Sequence, residues 1–302
     1  YREAERILEQ ALIKTGKEWC YEWLQTQLGQ LHVFFMLAQV QEMTRIIEII
    51  EHAQPLLEQY GTAAQRADFF MHIAMRDAVR DHYIVSEETL SYCRIGLEVS
   101  LETGNPHLIG TARFGFGYCL LLSGNLDQAE EQLRAAMMVG EQVGDAELAA
   151  RCRLHFLPFV FRRRGQVEEV RNSIACALAQ GERRYTGVIA ANRAWVAWRD
   201  GNREEAETYA QAALEVWQHQ HPVYEFQWTG LWPLIGIALT EARLSLAVDY
   251  IHLLLAPTQQ RPDEALLTVL EEAVQAWDAG QHETVRSLLQ HAMPLAKEMG
   301  YL

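Results

Sequence analysis

The chain has 302 residues, 49% hydrophobic and 22% charged, with only 8 prolines and a net charge of −14. A field of that sign repels phosphate backbones and anionic lipid heads, which argues against nucleic acid and membrane surfaces as partners. Its longest apolar stretches, such as Tyr118 to Leu122 and Leu231 to Leu239, are too short to span a bilayer. The cysteines Cys20, Cys93, Cys119, Cys152 and Cys176 are odd in number and never form a CxxC pair, so neither a disulfide framework nor a zinc site is expected, and the compartment reads as reducing cytoplasm.

Apolar residues recur at spacings of three and four along the whole length, which predicts an all-α chain without strands. In order, helices are expected over 1–14, 19–38, 41–60, 63–82, 86–103, 106–123, 126–143, 146–164, 166–181, 184–200, 203–219, 223–241, 243–256, 263–279 and 282–299. The breakers between hairpins are Gly104-Asn105-Pro106, Val143-Gly144-Asp145, Gly181-Glu182 and His221-Pro222. Pro158 and Pro233 fall inside predicted helices and should kink them. The chain opens at Tyr1 already within an amphipathic helix and stops just after the last one, so 1–302 is expected to be a single repeat domain cut from a longer multidomain protein.

The repeat shows best at the turn inside each hairpin. Ser123-Gly124-Asn125-Leu126-Asp127-Gln128-Ala129 can be laid over Arg164-Gly165-Gln166-Val167-Glu168-Glu169-Val170, Asp200-Gly201-Asn202-Arg203-Glu204-Glu205-Ala206 and Ala279-Gly280-Gln281-His282-Glu283-Thr284-Val285. The glycines are 41, 36 and 79 residues apart, and the last gap is two units. The unit within it is Ala242-Arg243-Leu244-Ser245-Leu246-Ala247-Val248, with Ala242 in the glycine position. Glycine ends the first helix in a left-handed conformation, acidic and amide residues start the second, and a small residue lets the two helices approach.

This turn, followed by a helix rich in Glu and Ala, resembles the tetratricopeptide motif, lengthened to a unit of 36–41 residues. The resemblance covers essentially the whole chain. It implies a right-handed α-α superhelix of about eight hairpins. The segments Ala194-Trp195-Val196-Ala197-Trp198, Leu231-Trp232-Pro233-Leu234 and Met299-Gly300-Tyr301-Leu302 are similar to the C-terminal sensor arrays of bacterial signalling ATPases, namely those linked to nucleotide cyclases and the maltose-regulator type of activator. Arg193 and Glu272 depart from the pattern, standing where an apolar first-helix residue is normal.

No GxxxxGK[ST] loop, HExxH or GxSxG elbow is present, so neither a cofactor nor catalysis is expected in this chain. His219 and His221 read as a polar helix end. The pairs Glu87-Glu88, Glu168-Glu169 and Glu204-Glu205 open second helices, where negative charge suits the helix dipole. Arg162-Arg163-Arg164 precedes a turn and reads as a solvated helix end.

In a tetratricopeptide array the first helices line the concave face. Phasing back from each turn then assigns Phe114, Tyr118, His155, Phe159, Arg162, Arg163, Trp195, Trp198 and Trp232 to a partner-binding groove, aromatic with an arginine edge. The same rings could instead fill gaps between hairpins. The function expected is recognition of a protein or peptide, or of other domains of the parent chain, within a signal-transduction protein of the ATPase or cyclase type. The competing reading is a structural scaffold or oligomerisation module, with self-association as its only partner.

Overall fold

A computed structural model describes residues 1–36, 42–219 and 223–302. Residues 37–38 of the expected helix 19–38, residue 41 of the next, and the expected break at His221-Pro222, with His221 itself, lie outside these. The described residues are helical and contain no strand. They form two compact units, Tyr1–Cys152 and Arg153–Leu302.

The first unit holds α1 (Arg2–Thr15), α2 (Cys20–Met36), α3 (Met43–Tyr60), α4 (Ala63–Arg80), α5 (Glu87–Thr103), α6 (Pro106–Leu122), α7 (Leu126–Val143) and α8 (Ala146–Ala150). Sequence neighbours pack as antiparallel pairs, and α2 also touches α4, as α4 touches α6. First helices therefore line up beside first helices. One end is filled by Leu24, Leu28 and Leu31 of α2 against Ile46, Ile49 and Ile50 of α3, all buried.

The second unit holds α9 (Leu157–Arg163), α10 (Val167–Ala179), α11 (Thr186–Arg199), α12 (Arg203–Gln218), α13 (Trp228–Thr240), α14 (Leu244–Leu254), α15 (Glu264–Asp278) and α16 (His282–Glu298). The boundary between units falls in a π-helical stretch, Arg151–Phe156. It divides the predicted helix 146–164 just ahead of Pro158, whose ring cannot sit over the carbonyl of Leu154 in a regular α-turn.

Each superimposed turn closes with the same hydrogen bond. The N–H after the turn residue reaches back five positions: Asn125 to Leu120, Gln166 to Phe161, Asn202 to Ala197, Arg243 to Ala238 and Gln281 to Ala276, at 2.8–2.9 Å. Ala242 adopts φ +56°, the left-handed backbone that its glycine counterparts take. The residues that the repeat places at the helix crossing, Ala129, Val170, Ala206, Ala247 and Val285, are fully buried. Of the two residues that break the pattern, Arg193 lies against the Tyr209 ring and Glu272 is exposed.

The expected helix 223–241 starts only at Trp228. The polypeptide before it, a turn over residues 225–227, is held by two buried glutamines from a distant loop. Gln259 Nε2 donates to the Tyr224 carbonyl at 3.0 Å, its Oε1 accepts from Gln227 N at 3.0 Å, and Gln260 N donates to the Glu225 carbonyl at 2.9 Å. Backbone groups that a helix would have paired internally are thus satisfied from outside.

Candidate functional site

A groove of about 420 Å³ crosses the first helices of the first unit. In α2 the residues Tyr21, Gln25, Leu28 and His32 follow one another at spacings of four, three and four, one face of one helix. α6 supplies His107, Thr111 and Phe114 on the same principle, α4 supplies Gln65 and Asp68, and the start of α8 with the π-helical turn supplies Glu147 and Arg151.

Local capping fixes these faces. Thr62 and Gln65 form a reciprocal capping box at the start of α4, at 3.2 and 3.1 Å. The Gln65 amide then donates to the Tyr21 carbonyl at 3.1 Å, tying α4 to α2. Asp145 caps α8 by accepting from Leu148 N at 3.0 Å, and its other oxygen lies 3.3 Å from His107 Nδ1. Phe114 is half-buried, stacks on Tyr118 at 6.4 Å and carries the Arg151 guanidinium over its ring at 5.4 Å. Tyr21 is 54% exposed, an open ring at the other end of the groove.

Beneath α2, His72 is enclosed between His32 and Phe35. Burial pushes its imidazole below the ordinary histidine value, so it is neutral at pH 7. Its Nδ1–H donates to the Asp68 carbonyl at 2.8 Å, and the Asp68 carboxylate, 3.6 Å away, stays available to the groove.

Of the groove residues expected from sequence, Phe114 lines this cavity. Trp198 and Arg163 are partly exposed in the second unit. Tyr118, His155, Phe159, Arg162, Trp195 and Trp232 are buried. The physical reason is visible in the phasing. The position six before each turn, held by Tyr118, Phe159 and Trp195, points between helices rather than across them. His155 donates to or accepts from the Tyr224 hydroxyl at 2.7 Å and sits among Phe156, Phe159 and Phe226. Trp232 stacks on Tyr301.

Arg162 is likewise no solvated helix end, being 0% exposed. Its guanidinium lies between Trp195 and Trp228, at 5.5 and 5.4 Å from their ring centres. It donates to the Thr229 carbonyl at 2.8 Å and to Asn192 Oδ1 at 3.3 Å. Burial lowers it to about 9, which leaves it charged at neutral pH.

No protein-family model and no curated protein matches the chain. Among solved structures, the apo form of RapI matches with a TM-score of 0.57 at 11% identity, covering 91% of this chain and 97% of that one. The fold is a tetratricopeptide-like helical repeat. At that identity the likeness is one of fold alone. Among the described residues no His, Cys, Asp and Glu side chains group as metal ligands, and no helix is long and apolar enough to cross a membrane.

Tyr21, His32, Asp68, His107 and Arg151 line the groove outside the positions that turn glycines phase in the later repeats. The α4–α5 turn has none. Its left-handed residues are His82 and Tyr83, at φ +51° and +64°.

Proposed function

We propose that this chain is a non-catalytic recognition module that reads a protein or peptide segment, serving as the regulatory part of a larger cytoplasmic signalling protein of the bacterial ATPase or cyclase type. The observation that carries the reading is the groove across α2, α4, α6 and α8. It combines an open tyrosine, a phenylalanine under an arginine, and amide and carboxylate groups spaced along four parallel faces. Aromatic and guanidinium groups supply most of the binding energy at protein interfaces. The row of polar groups suits a ligand that offers main-chain donors and acceptors along its length.

Selection of ligands from a random peptide library on the purified chain, followed by titration of Tyr21→Ala and Arg151→Ala, tests this. Selected peptides should lose roughly tenfold or more in affinity with either substitution, the cost of about 1.4 kcal/mol or more at a central contact. The helical circular dichroism should stay unchanged. Peptides that bind both variants as they bind the parent would defeat the groove reading. A mass by light scattering that rises with concentration, with no groove-dependent ligand, would favour a scaffold instead.

A further inference from the structure

A second cavity of about 420 Å³ lies in the other unit, and its chemistry differs. Arg199 at the end of α11, Arg203 at the start of α12 and Lys297 in the last turn of α16 converge on it, over a wall of Trp198, Met293 and Pro294. The wall depends on Gly236 of α13. A Cβ there would fall 2.5 Å from Trp198 Cη2 and 2.8 Å from Met293 Cε, so the glycine makes the notch in which indole and thioether sit.

The three cations are not matched by acids. Neighbouring arginines of this unit are: Arg171 bridges to Asp200 at 3.2 Å and Glu168 at 3.3 Å, Arg184 to Glu182 at 2.9 Å, and Arg243 to Glu207 and Glu241 at 2.8 and 2.6 Å. Arg199, Arg203 and Lys297 form no ion pair with any described residue. Asp200, the acid next to Arg199 in sequence, is taken up by Arg171. The Arg199 guanidinium lies over the Trp195 ring, at 5.3 Å, and beside Gly165, and donates to the main-chain oxygen of Leu302 at 3.4 Å. Although the chain has 40 acidic against 26 basic residues, no Asp or Glu side chain lines this cavity, whose remaining polar wall is the main chain at Leu302. An anion that enters the cavity meets three cations and no Asp or Glu side chain in its wall.

We propose that this pocket binds an organic phosphate monoester. A phosphate monoester carries close to two negative charges at neutral pH and offers three oxygens. Two guanidinium forks can each grip two oxygens, while the lysine adds a point charge. The organic group lies on Trp198 and Met293. The cavity volume is that of a small-molecule site. This site is independent of the groove in the first unit and stands or falls separately from the function proposed above.

Calorimetric titration of the purified chain with phenyl phosphate and with inorganic phosphate tests it. Phenyl phosphate should bind more tightly, because only it uses the indole wall. The double substitution Arg199→Gln/Lys297→Gln should weaken both ligands by about tenfold or more. Trp198→Leu should remove the advantage of the phenyl group and leave inorganic phosphate binding intact. Lys297→Arg should bind as the parent does. The substituted side chains are exposed or half-buried, and unchanged thermal melting confirms folding. Equal binding by parent and double variant, or no binding of either ligand at about 10 mM, a level that excludes even millimolar affinity, would overturn the proposal.

Discussion

A buried arginine without a carboxylate calls for an explanation, and Pro233 supplies one. Proline has no N–H, so the carbonyl four residues earlier, that of Thr229, loses its helical donor. Arg162 donates to that carbonyl from α9 at 2.8 Å. The guanidinium thus repairs a gap that the proline opens, and its two indole neighbours replace part of the water it gives up. Arg162→Met should then be costly with Pro233 present, because a buried acceptor is left without a donor at about 1–3 kcal/mol. It should cost less in a Pro233→Ala background, where the residue's own N–H returns to Thr229. Chemical denaturation of the four proteins should give a coupling energy of about 1–3 kcal/mol, and additivity to within about 0.5 kcal/mol would remove the explanation.

At the scale of the element, the hairpin turns were legible because a left-handed residue, a capping amide and a small residue recur together. The same logic explains where reading failed. The start of α13 is set by Gln259 and Gln260, more than thirty residues away along the chain and without a local signature. The α2 and α4 faces of the groove escaped because no glycine marks the α4–α5 turn. Adjacent first helices touch, so the residue six before each turn, Tyr118, Phe159 or Trp195, packs on a neighbouring helix and is buried. Ala242 is the turn where the sequence departs from glycine and the backbone does not. A left-handed alanine costs about 1–2 kcal/mol, against about 0.5–1 kcal/mol for the extra freedom of an unfolded glycine. Ala242→Gly should therefore stabilise the chain by about 0.5–1 kcal/mol, read as a higher denaturation midpoint at constant slope. A lower midpoint would mean that the methyl group makes contacts worth more than the backbone strain.

At the scale of the whole molecule, a net charge of −14 and a local cluster of three cations act on an approaching anion in opposite directions. They differ in range. At about 0.01 M salt the Debye length is about 30 Å and the summed acidic field reaches the ligand; at 0.15 M it is about 8 Å and the pocket cations dominate. Added salt first removes the distant repulsion and only then weakens the contact attraction. The affinity for phenyl phosphate should accordingly change little between about 0.01 and 0.15 M salt and fall at about 1 M, where the Debye length is about 3 Å. Duplex DNA, whose phosphates extend over the acidic surface as well, should not be retained at about 0.15 M in a gel-shift assay, because binding of that kind needs a run of several neutralising cations. Phenyl phosphate affinity that falls steadily from the lowest salt would show that the acidic surface is too far from the pocket to matter. A shifted DNA band would show that the basic residues extend beyond it as a continuous track.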